Sequence, residues 1–62
     1  MINLIIEHIA GNEILVLDYN EDSRIYTVYT EESNGYEDEI LVTKSEEVAR
    51  REFKASLAYF RA

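Results

Sequence analysis

His8 is the only imidazole in this chain of 62 residues, and imidazole is the side chain most used as a general base or metal ligand at neutral pH. It has no visible partner. Ser23, Ser33, Ser45 and Ser56 lack a neighbouring base or an elbow motif, and cysteine is absent, so a nucleophile–base pair cannot be assembled from sequence. The spacing names no catalytic residue, and the chain reads as a non-enzyme.

Asp18-Tyr19-Asn20-Glu21-Asp22 places oxygen side chains at the first, third and fifth positions of a calcium loop, and Ile25 fits the eighth. The match then fails. Ser23 stands where the sharp-turn glycine belongs and Tyr29 where the bidentate glutamate belongs, so the segment reads as a polar hairpin turn. Neither a metal site nor a cofactor site is expected.

The strongest chemical signal is the placement of charge. Residues 1–43 hold ten Asp/Glu against Arg24 alone, a net −9, while residues 44–62 hold three against five, a net +2; together they give the formal −7 of the chain. Glu31, Glu32, Glu37, Asp38 and Glu39 flank one Asn-Gly turn, with Tyr29 and Tyr36 beside them, and Glu21 and Asp22 lie in another turn. Carboxylates with adjacent tyrosines form a surface that a basic partner is steered toward by the field and held against by the rings. These nine residues are the expected partner-binding set. The alternative is a hydrated acidic loop that serves solubility alone.

Arg50, Lys54 and Arg61 form a smaller basic patch. With the rest of the chain at −9, phosphate would be repelled from most directions, so direct nucleic-acid binding is not expected. Apolar residues make up 47% of the chain, with five Tyr and two Phe, which is too much for a disordered acidic tail. The expectation is a single domain over 1–62. The start Met1-Ile2-Asn3-Leu4-Ile5-Ile6 lacks a basic region and its apolar run is cut by Glu7 and His8, so neither a signal peptide nor a membrane span fits and the cytoplasm is the expected compartment.

The elements that must position these groups follow from period and turn chemistry. Residues 2–9 are rich in β-branched side chains and end at Gly11-Asn12, after which 13–19 begins a second apolar run. Ile2, Ile5, Ile6 and Ile9 also fit a helical spacing; the β-branched content favours a strand. Residues 24–31 and 37–43 are a third and fourth strand, joined through Asn34-Gly35. Ser45 then caps a helix over about 46–61, with Glu46 and Glu47 in its first turn, Glu46–Arg50 and Glu47–Arg51 at i, i+4, and Ala49, Phe53, Leu57 and Phe60 along one apolar stripe. The fold class is α+β: a four-stranded antiparallel β-meander with a C-terminal α-helix packed on one face, ββββα.

Simple alternation puts Ile2, Leu4, Ile6, Leu15, Leu17, Tyr26, Val28 and Leu41 on one sheet face and Ile5, Ile9, Ile14, Val16, Ile25, Tyr29, Ile40 and Val42 on the other. It sets His8 near Leu15 and Glu31 opposite Asp38, and Arg50, Lys54 and Arg61 on the outer side of the helix. Both sheet faces are apolar and one helix covers only one, so a homo-oligomer is expected through the uncovered face or an edge strand.

The functional expectation is a small acidic binding protein, an inhibitor or regulator that docks its carboxylates onto the basic site of a nucleic-acid-handling protein. In its shortness, acidity and lack of a catalytic motif the chain resembles small phage-encoded inhibitors such as anti-CRISPR proteins and uracil-DNA glycosylase inhibitors. The resemblance rests on composition, carries no residue over, and implies an anti-defence role in a host cytoplasm. Two other readings are a structural homo-oligomer module and a protein that sequesters a nucleotide or other small ligand between subunits.

Overall fold

A computed structural model describes all 62 residues as five elements: strands β1 (Ile2–Ala10), β2 (Glu13–Asn20), β3 (Ile25–Glu31) and β4 (Glu37–Thr43), then helix α1 (Glu46–Phe60). The strands pair antiparallel in the order β1-β2-β3-β4, and the helix packs on one face, which is the ββββα meander that turn chemistry and periodicity predict. Boundaries differ by one residue at most. Arg24, expected in β3, instead sits in the preceding turn at φ +60, with its N–H donating to the Asn20 carbonyl at 2.7 Å. Arg61, expected in the helix, is its C-cap.

The turns form as their residues dictate. Gly11 takes φ +51 between the Ala10–Glu13 pair, and Gly35 takes φ +90 in the β3–β4 loop, conformations that glycine adopts without steric penalty. The Asn20 carboxamide oxygen accepts from the N–H groups of Asp22 and Ser23, which ties down the β2–β3 turn. The helix begins where Ser45 Oγ accepts from the Val48 N–H at 3.2 Å; Arg50 and Arg51 bond back to Glu46 and Glu47 at 2.8 and 3.0 Å.

The core lies between helix and sheet. Leu15, Leu17, Val28, Ala49, Phe53 and Ile9 form it, with Ile5, Tyr26, Leu41 and Leu57 packed around them. Alternation is right for the central strands and wrong for part of β1. One extra residue, Leu4, stands between the Asn3–Asp18 and Ile5–Leu17 pairs, and a second irregularity falls at Ile9. The bulge reverses the phase of the strand, so Ile5 and Ile9 join the core while Ile6 pairs with Val16 on the opposite face and is 49% exposed. His8 consequently stands opposite Ile14 rather than Leu15.

A second bulge inverts the other edge. Leu41 pairs with Val28, but Tyr29 pairs with Glu39, leaving Ile40 as the extra residue. Without it, Glu37 and Glu39 would share the helix side with Leu41. With it they face away from the helix, and Asp38 pairs with Thr30 on the helix side. Glu31 therefore lies opposite Glu37, not Asp38.

The helix starts beside β3, where the Tyr26 hydroxyl donates to Glu46 Oε1, and ends beside β1. There Arg61 turns inward, correcting its expected outward placement: its Nη2 donates to the His8 carbonyl at 2.7 Å and approaches Glu7 Oε1 at 3.4 Å. Ser56 is buried on the same helix and donates to Glu52 at 2.9 Å. No helix is long and apolar enough to cross a membrane.

Candidate functional site

No helix or further strand packs on the sheet face away from α1, although Val16 and Asp18 on its β2 strand are buried. Strand pairing arranges its side chains in rows: Asn3, Asp18, Thr27 and Val42 cross the sheet in one, and Ile6, Val16, Tyr29 and Glu39 in the next. Beyond them lie His8, Ile14, Glu31 and Glu37. Ile6, Val16 and Ile14 thus lie on β1 and β2, Val42 on β4, and the carboxylates are Asp18 on β2, Glu31 on β3 and Glu37 and Glu39 on β4. Ile6 and Val42 remain 49% and 46% exposed, a degree of exposure that a covered strand face would not leave.

Asp18 is the exceptional residue of this face. It belongs to the central strand β2, is only 4% exposed, and lies within a run of buried residues from Leu15 to Asp18. Its Oδ2 accepts the Tyr29 hydroxyl at 3.0 Å, and its Oδ1 is buried with no hydrogen-bond partner. Burial of the ring, the hydrogen bond to Asp18 and the charges of Asp18, Glu37 and Glu31 push the Tyr29 phenol far above its ordinary value, so it stays protonated and keeps donating. Asp18 and Tyr29 form the floor of a cleft of about 250 Å³, with Met1, Thr27, Glu37 and Glu39 around it.

The carboxylates of the face are electrostatically free. The three salt bridges of the molecule join Arg50 to Glu46, Arg51 to Glu47 and Arg61 to Glu7, and none uses Asp18, Glu31, Glu37 or Glu39. Glu31 and Glu37 stand directly across from each other, a repulsive like-charge pair on neighbouring strands that a cation between them would relieve.

The nine residues singled out from sequence do not form one patch. Tyr29, Glu31, Glu37 and Glu39 come together on the open face. Asp38 points to the helix side of the edge strand, Glu32 and Tyr36 belong to the β3–β4 loop, and Glu21 and Asp22 lie in the β2–β3 turn at the opposite end of the sheet. A shallower depression of about 300 Å³ lies between the two turns of the other end, bordered by Ala10, Asn12, Glu13, Glu32, Ser33 and Asn34. Asp18 is the residue that sequence reasoning misses. Its signal is an acid that directly follows the apolar run Ile14-Leu15-Val16-Leu17 in the same strand, two residues beyond Val16 and on the same face.

His8 is exposed, and the part of it that is engaged is its backbone carbonyl, bound by Arg61. The calcium-loop resemblance is answered by Asn20, whose side-chain oxygen is used by the turn, and by Asp18, which lies in the strand. Nowhere do three or more acidic or histidine side chains converge as ligands for one metal ion. No family model matches the chain, and neither a curated protein nor a solved structure is significantly similar to it.

Proposed function

We propose that this is a non-enzymatic binding protein whose open sheet face docks onto a basic surface of another protein. The observation that carries the reading is the combination found on that face: exposed Ile6 and Val42 beside unpaired Glu31, Glu37 and Glu39, over a buried Asp18 with a free oxygen. Apolar contact supplies the area, and the carboxylates supply orientation and encounter rate. The phosphate-binding cleft of a nucleic-acid-handling protein is the surface that fits best, because it keeps lysines and arginines exposed for a polyanion and an acidic sheet can occupy the same ground. The protein then acts as an inhibitor or regulator of that target, in the cytoplasm where such targets work.

Two charge reversals test this reading against mere solubility. Glu39→Lys and Asp38→Lys change the net charge equally, but Glu39 lies on the open face and Asp38 on the other. With each variant and the parent as bait in cell extract, proteins that bind the parent at low salt and are released at high salt should be lost with Glu39→Lys and kept with Asp38→Lys. Equal loss with both variants, or with neither, refutes open-face docking. Self-association through the same apolar face is the rival outcome, and sedimentation of the unbound protein as a dimer that Ile6→Lys dissociates and Asp38→Lys leaves intact would establish it.

A further inference from the structure

We infer that the cleft over Asp18 and Tyr29 is a socket for a guanidinium group, the side chain of an arginine presented by the docking partner. This rests on the docking reading and names the group that the face receives. The first support is the buried carboxylate. Asp18 is 4% exposed, lines an open cleft, accepts one bond from Tyr29, and keeps its Oδ1 buried and unpartnered. A buried acceptor without a donor is destabilising, and natural structures seldom keep one unless something else supplies the donor. Met1 lines the same cleft, but its ammonium makes no ion pair with any carboxylate.

The second support is the shape and charge of the surroundings. Glu37 and Glu39 border the cleft from β4, turned there by the bulge at Ile40, so three carboxylates share a space of about 250 Å³ with one aromatic ring. They do not converge as ligands for a single metal ion. A compact cation is therefore a poor match. Guanidinium is planar, carries five N–H donors in a fixed fork, and can bond the Asp18 carboxylate once the side chains over Oδ1 give way, while other donors reach a second carboxylate. Its flat face also rests favourably on a tyrosine ring, which an ammonium uses less well. Because Asp18 lies at the bottom, its bond to the guanidinium is shielded from water and is the one that discriminates.

The test uses the intact protein and short blocked peptides. Amide NMR spectra are followed while adding a glycine-flanked arginine peptide, its citrulline counterpart, which keeps the shape and loses the charge, and its lysine counterpart. The arginine peptide should shift the amides around Asp18, Thr27, Tyr29, Glu37 and Glu39 saturably, and citrulline should not. Asp18→Asn keeps an acceptor for Tyr29 and removes the charge, and should weaken the arginine peptide by about tenfold or more. Equal binding of citrulline, lysine binding as tightly as arginine, an unchanged affinity in Asp18→Asn, or calcium chloride alone shifting the same amides at lower concentration would each overturn the socket. The two readings fail separately: if the peptide does not bind but Glu39→Lys still releases a protein that Asp38→Lys retains, the socket is wrong and the docking face stands.

Discussion

Asp18→Asn should make this protein more stable, not less. In the parent, a carboxylate 4% exposed leaves one oxygen with no donor, an omission that costs about 1–3 kcal/mol for a buried polar group. The amide retains an oxygen for the Tyr29 hydroxyl, now a bond between neutral groups, which gives back on the order of 1 kcal/mol of the charge-assisted contact. Its new N–H donors take the place of the orphaned oxygen, and the cost of holding a net charge out of water is removed. The balance is a gain of about 1 kcal/mol, which for a domain of this size raises Tm by roughly 4–8 °C. Thermal unfolding followed by circular dichroism at neutral pH and low salt reads it directly. A variant that melts below the parent would show that the buried charge is satisfied in solution, and the case for a site built at the expense of stability would fail.

Two further outcomes follow from the packing and the phenol. Phe53, 4% exposed, is the aromatic member of the core; Phe53→Ala should cost about 3–5 kcal/mol against a total stability of roughly 3–9 kcal/mol, so far-ultraviolet dichroism should show a chain largely unfolded at body temperature. The Tyr29 phenol ionises at higher pH in the folded chain than its ordinary value of 10.0, so its stabilising contribution is complete below that pH and lost as pH rises through the folded value. Urea midpoints measured from neutral to strongly alkaline pH should therefore fall above about pH 10. Tyr29→Phe, less stable at neutrality for want of the bond to Asp18, should have the flatter alkaline limb.

The meander and helix are readable from sequence because local signals agree: Gly11 and Asn34-Gly35 close turns, Ser45 caps, and Ala49, Phe53 and Leu57 repeat at the helical period. The phase of the edge strands is not. Leu4 and Ile40 carry no residue-level mark of a bulge, and an apolar residue looks equally at home on either side of a sheet with two apolar faces. The same blindness hides the site. Alternation counted back from Leu41 places Glu37 and Glu39 over the helix, and only the extra residue at Ile40 moves them above Asp18 and Tyr29. Arg61 escapes for another reason: its partner is the carbonyl of His8, more than fifty positions away, and a backbone oxygen leaves no trace in side-chain chemistry.

The two bulges act on this small sheet as gear changes. In each outer strand the pattern is cut and restarted one step out of time, so one stretch of chain serves the interior on one side of the cut and the exterior on the other. A chain lacking Leu4 or Ile40 would close the ladder on the same pairs, Ile5 still beside Leu17 and Glu39 still beside Tyr29, so each extra residue adds local bend and twist without being needed to hold its neighbours on their faces.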